Sequence, residues 1–133
     1  MPRRRREPVW LSRTVVDAIH ADQIREHGGL PGVGDDNVLE SALARARQKW
    51  TYGERELAVL AAAYGFGIVT SHPYRDGNKR IGFVALVTFL GMNGPDLDTS
   101  DADVIATIVQ LAAGQLTEAE LARWIRDHST PAD

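Results

Sequence analysis

Apolar positions recur at intervals of three and four along most of the chain, the spacing of one face of an α-helix. Leu11, Val15, Ile19 and Ile24 mark a first helix that ends at His27, Gly28 and Gly29, where glycine supplies the left-handed backbone that closes helices. A loop over Leu30 to Asp35 follows. Val38, Leu39, Ala42, Leu43 and Ala46 then predict a second helix opening at Asp36 or Asn37, with Asn37 and Glu40 spaced as a capping box. From Glu54 to about Thr70, and again from about Asn78 to Met92, apolar residues lie on every side, the pattern of helices enclosed by others. The second of these ends at Asn93, Gly94 and Pro95. Ser100 with Asp103, and Thr117 with Glu120, are capping boxes that open a fifth and a sixth helix.

No alternating run is long enough for a sheet, so the expectation is an all-α domain of about six helices, with a short hairpin the one plausible β element. Gln48 to Gly53 is the candidate for it. Trp50 and Tyr52 flank the β-favouring Thr51 there, which reads as an extended flap, as a linker, or as two aromatics plugging the core. At 133 residues, the chain suits one compact domain. We expect a basic tail over 1–10, the domain over 11–128 and a short tail over 129–133.

Composition narrows the chemistry. Cysteine is absent, which removes disulfides, thiolate nucleophiles and thiolate zinc sites and accords with a reducing cytoplasm. The formal charge of −3 includes the run Arg3, Arg4, Arg5 and Arg6; without it, 11 basic residues stand against 18 acidic ones, a body of −7. Such a body repels a polyanion, so no direct nucleic-acid binding is expected. The Arg run reads as a solvated terminus. It is followed by Glu7 and Pro8 instead of the long apolar stretch of a signal peptide, and the two charge-free stretches, 57–71 and 81–95, are short for a membrane span. A cytoplasmic protein with no membrane partner is the expectation.

Between the two greasy helices lies His72, Pro73, Tyr74, Arg75, Asp76, Gly77, Asn78, Lys79 and Arg80. Lys79 and Arg80 fall in the first turn of a helix, where cations oppose the helix dipole by roughly 0.3 to 1 kcal/mol each. An anionic ligand resolves that conflict. The N–H groups of Gly77, Asn78 and Lys79 can face a phosphate, and Gly77 leaves room for its approach. Asp76 offers an oxygen ligand suited to Mg²⁺ beside nucleotide phosphates. His72 is placed to take a proton from an attacking hydroxyl. Each residue alone has a bland explanation as a cap, a loop residue or a solvated charge; together they describe a phosphoryl- or nucleotidyl-transfer site. The loop is not a Walker A motif, since its opening glycine is missing and Asn78 separates Gly77 from Lys79. His20, His27 and His128 lack the spacing of a zinc site and read as surface or core histidines. The Gly65, Phe66, Gly67 step reads as close helix packing.

HPYRDGNKR resembles the Fic signature HPFx(D/E)GN(G/K)R, and the Lys79 form followed by a long apolar helix is similar to the death-on-curing (Doc) branch of that superfamily, as is the flank GVGDDNVLESAL. The resemblance runs from about Leu11 to Gly94. It implies an all-α fold around a central helix hairpin, with His72 as general base, Asp76 as the Mg²⁺ ligand, Gly77 and Asn78 as the anion hole, and Lys79 and Arg80 on the phosphates of ATP. It further implies a toxin of a toxin–antitoxin pair that halts translation, with elongation factor Tu as the protein target and an antitoxin as partner. In this family a flap lines up the target, and Trp50, Thr51 and Tyr52 are the residues considered for it. Lys79 favours transfer of the γ-phosphate, a kinase, whereas Pro73 and Gly77 look more like the AMP-transferring group. Tyr74 departs from the usual Phe. The family's self-restraining (S/T)xxxE(G/N) string has no counterpart, so inhibition is expected from another chain. A rival from a different class is an idle antitoxin-binding module.

Overall fold

The computed structural model describes residues 6–130; Arg3, Arg4 and Arg5 of the basic run lie outside the described residues. Six helices account for nearly all regular structure there: α1 (Arg13–His27), α2 (Asp36–Thr51), α3 (Leu57–Ser71), α4 (Asn78–Met92), α5 (Asp101–Ala112) and α6 (Glu118–His128). Among the described residues the only β pairing is two isolated antiparallel bridges, Val33 with Tyr74 and Leu97 with Ser129. The all-α reading holds.

Helix α3 is the hub. Its LAVLAAAYGFGIV run is buried on every side, and it packs against α2, α4, α5 and α6, while α1 lies on α4. Glycines let the central hairpin close. A Cβ on Gly65 would stand 2.6 Å from Leu86 Cδ2, and one on Gly82 would stand 2.5 Å from Val69 Cγ2 and 3.2 Å from the Gly65 carbonyl. Those distances are below contact, so α3 and α4 meet backbone to backbone. Gly67 does the same towards α2, where a Cβ would meet Arg45 Cδ at 2.9 Å. The Gly65–Gly67 step is therefore packing, as its place inside a helix implied.

Helix ends follow local chemistry, with two corrections. Asp35, rather than Asn37, caps α2, and its side chain accepts from the N–H groups of Asn37 and Val38. An Asp two residues earlier in extended backbone reaches both orphan donors, leaving Asn37 inside the first turn. Helix α3 opens at Leu57, three residues later than Glu54, because the Glu54 carboxylate caps the turn before it by accepting from Arg55 and Glu56 N–H. Ser100 caps α5 through Asp103 N–H, and Thr117 with Glu120 forms the full reciprocal box on α6.

The flap reading of Trp50, Thr51 and Tyr52 is also corrected. Gln48 to Thr51 is the last turn of α2, and Tyr52 is its cap. Trp50 is held in helix by tertiary contacts: its ring meets Trp10 edge-on at 6.1 Å, with the Arg55 guanidinium 3.8 Å above it, and Trp10 in turn stacks on Phe89. Tyr52 does not plug the core and is 90% exposed. This segment adjoins the start of α3, whereas His72 follows its end, roughly 20 Å away along 15 residues of helix.

The ends of the domain are tied in. Val9 exchanges two hydrogen bonds with the Asn93 side chain, and Ser129–Thr130 run beside Asp96–Asp98. The packed unit thus reaches a few residues to either side of 11–128.

Candidate active site

The motif forms the turn between α3 and α4, the two most buried helices. His72 ends α3 with a left-handed backbone, φ 51°, the one non-glycine residue in that region among those described. Pro73 cannot continue a helix, and its carbonyl accepts from both Gly34 N–H (2.9 Å) and Asp35 N–H (3.1 Å). Arg75 N–H donates to the Gly32 carbonyl at 3.1 Å. The extended piece beside the motif is therefore residues 32–34, paired with Tyr74, and not the end of α2.

Inside the turn, Asn78 braces Tyr74. Its Oδ1 accepts from Tyr74 N–H and its Nδ2 donates to the Tyr74 carbonyl, both at 2.9 Å, so this buried amide is fully used on the loop. The Asn78 side chain is thus turned to the backbone, leaving its N–H for a ligand. The Tyr74 ring is buried against His20 of α1, nearly parallel at 3.9 Å, and its hydroxyl donates to Asp17 at 2.7 Å. Burial, and then the Asp17 carboxylate, push the phenol pKa far upward, so it stays a donor.

Asp76 is exposed and lies at the mouth of the turn. Its Oδ2 accepts from Leu30 N–H (3.1 Å) and its Oδ1 from Gly77 N–H (2.9 Å). Those two bonds, the Leu30 one foremost, with Arg80 and His20 assisting, hold its carboxyl below the ordinary carboxylate value. Gly29 is a necessity of this contact, since a Cβ there would stand 2.8 Å from Asp76 Oδ2 at φ 118°. Gly77, at φ 74°, caps α4 without any side-chain bond, and α4 carries no acidic residue in its first turn. Because Gly77 N–H is taken by Asp76, the N–H groups that remain open at this helix start are those of Asn78, Lys79 and Arg80.

His72, Arg75, Asp76, Gly77, Asn78, Lys79 and Arg80 line one hollow of about 520 Å³. Among the described residues Arg75, Lys79 and Arg80 enter no ion pair, whereas Arg13 alone enters three. Three cations without an ion-pair partner thus stand around an uncapped helix start, an arrangement that favours negative charge. The described residues contain no group of three or more His, Asp or Glu able to cage a metal ion. A single exposed carboxylate next to open N–H groups nevertheless fits Mg²⁺, which is held by one or two carboxylates plus substrate phosphates.

A sequence model of the Fic/DOC family matches residues 10–90, more than half of the chain. The chain belongs to the Fic/DOC family. Among curated proteins, the protein kinase doc of Escherichia phage P1 is 29% identical over 111 residues, which span 82% of this chain and 86% of that one. The Fic/DOC match contains α3, the turn and α4 up to residue 90, and both elements that brace them, α1 and the loop 28–35. No helix among the described residues is long and apolar enough to cross a membrane.

Residue reading alone passed over three parts of this Fic/DOC site. His20 read as a surface or core histidine, Asp17 carried no signal of its own, and Leu30 to Asp35 read only as a loop. A signal for the last was present in the glycines at 28, 29, 32 and 34, which are dense for a loop that only links two helices.

Proposed function

We propose that this chain is a Doc-type toxin of a toxin–antitoxin pair, acting in the cytoplasm as a protein kinase that moves the γ-phosphate of ATP to a hydroxyl of a protein target. What carries this reading is the one hollow shared by a histidine, a carboxylate and three unpaired cations at an uncapped helix start. The N–H groups of Asn78, Lys79 and Arg80 and the Lys79 and Arg80 side chains hold the phosphates; Gly77 contributes the absence of a side chain. Asp76 holds Mg²⁺, which when bound offsets the charge of the phosphates. His72 takes the proton of the target hydroxyl as its oxygen bonds to the γ-phosphorus, and the bond from that phosphorus to the bridging oxygen breaks to release ADP.

Lys79 supports γ-transfer because its side chain crowds the space that a glycine there leaves to distal phosphates, which favours the opposite entry of the nucleotide. Elongation factor Tu is the target that the Doc resemblance offers, and an antitoxin chain the partner. Pro73 and Gly77 favour a second reading, AMP transfer. ATP labelled separately on the α- and γ-phosphates, incubated with the protein and a bacterial lysate, separates the two. A target gaining about 80 Da and γ-label supports the kinase; a gain of about 329 Da with α-label establishes AMP transfer instead. No modification, together with no thermal stabilisation by millimolar ATP and Mg²⁺, leaves an antitoxin-binding module as the function.

A further inference from the structure

His20 is one of three buried polar side chains among the described residues, 3% exposed, on the face of α1 that meets the motif turn. Its Nε2 lies 2.8 Å from the carbonyl oxygen of Asp76. A carbonyl only accepts, so Nε2 is the protonated nitrogen and the ring donates. The other half of the same peptide unit is also fixed, because Gly77 N–H donates to Asp76 Oδ1 at 2.9 Å. Carbonyl and N–H of a trans peptide point in opposite directions, so the 76–77 plane is held from both sides.

That plane governs the site on either flank. On one side it carries the N–H that turns the Asp76 carboxylate, whose second oxygen is tied to Leu30. On the other it leads into Gly77, whose left-handed backbone sets the direction in which α4 and its open N–H groups start. Gly77 has little room to shift, since a Cβ there would meet Ile24 Cδ1 at 3.4 Å and His20 Nε2 at 3.8 Å. The imidazole itself is clamped by its stack on Tyr74 at 3.9 Å and 12°.

We propose that His20 is a positioning residue: through one hydrogen bond to the Asp76 carbonyl it sets the orientation of both the Asp76 carboxylate and the phosphate-facing start of α4. This rests on the transferase reading above for its effect on rate, while the bond itself can be tested without turnover. His20→Phe keeps an aromatic stack and removes the donor; His20→Gln returns an N–H donor at a similar reach.

The expected result is a fall in kcat of about tenfold or more for His20→Phe, with KM for the protein target and melting temperature little changed, and recovery of most of that loss in His20→Gln. Full kcat in His20→Phe, or equal loss in both variants, overturns the proposal. Independently, imidazole ¹⁵N–¹H correlation spectra of the unaltered protein are expected to show His20 protonated at Nε2; a bare Nε2 overturns it, and this reading stands even where His20→Phe fails to fold. Should the parent transfer nothing from ATP, the function reading fails alone. Amide exchange at Gly77 then still decides His20, faster in His20→Phe and unchanged in His20→Gln if the proposal is right, unchanged in both if it is wrong.

Discussion

The hydroxyl of Tyr74 donates a 2.7 Å hydrogen bond to Asp17, 57 residues away in the chain, and thereby fastens the motif turn to α1. Asp17 is held in turn by Arg13 at 3.1 Å, and the same guanidinium reaches Asp36 and Glu40 of α2 at 2.6 and 2.9 Å. These carboxylates, Asp36 first, raise the Arg13 pKa, so this link stays charged throughout the working range. A Phe in place of Tyr74 keeps the ring and its stack but ends the connection to Asp17. Tyr74→Phe is expected to lower stability by about 1 kcal/mol, since Asp17 keeps Arg13 and is not left unpaired. A urea melt with an unchanged midpoint would show that the phenol contributes nothing.

At the site, His72→Ala is expected to abolish transfer and to leave ATP binding largely intact, because in the proposed mechanism His72 acts on the hydroxyl and holds no phosphate. Asp76→Ala is expected to lose the Mg²⁺-dependent part of ATP affinity. Titration calorimetry with ATP, with and without Mg²⁺, reads both variants. The reverse pattern would exchange their roles.

Lys79→Gly is expected to weaken γ-transfer and to open some AMP transfer, as the space beside the N–H groups of α4 returns. Mass spectrometry of the modified target reports the ratio of the two additions. An unaltered kinase would assign the choice to another part of the hollow.

Gly82→Ala tests the backbone contact of the hairpin. A mid-helix alanine ordinarily gains up to about 1 kcal/mol over glycine. Here the new methyl would meet Val69 Cγ2 at 2.5 Å and the Gly65 carbonyl at 3.2 Å, and a carbonyl cannot rotate away. We expect a net destabilisation of about 1 to 3 kcal/mol, read from the denaturation midpoint.

Acid sensitivity has a defined contribution at α6. Glu120 accepts from Thr117 N–H, which holds its carboxyl below the ordinary glutamate value in the folded chain. The folded pKa being the lower one, this stabilisation is present above the unfolded pKa and is lost as pH falls through the folded one. Glu120→Gln is therefore expected to lower the melting temperature near neutrality and to converge on the parent in acid. A constant offset at every pH would remove the carboxylate from the account.

How far these features could be read in advance depended on whether their cause is local. The boundaries of α4, and the closing of α1 at Gly28, rest on residues within one turn of the event, and both were legible to the residue. So was the congestion of charge at 72–80 between two apolar helices. The extended reading of Trp50 fails, and its packing on the core holds, because its helical state depends on Trp10 and, through it, Phe89, both distant in the chain. His20 and Asp17 escaped for the same reason, as their partners Asp76 and Tyr74 lie 56 and 57 residues on. Nothing within α1 distinguishes a histidine that braces a distant peptide from one that fills space.

The left-handed backbone of His72 gives the active turn a direction in evolution. An L-residue in that conformation costs roughly 1 to 2 kcal/mol that a glycine does not. Folding and the proposed chemistry thus make opposite demands at one position: the fold would rather have glycine there, and the proposed transfer asks for an imidazole. A lineage released from the need to transfer anything gains stability by exchanging this histidine for glycine, whereas loss of Tyr74, Asp76 or Asn78 removes bonds that hold the turn. Decay of the proposed activity is then downhill from its first step.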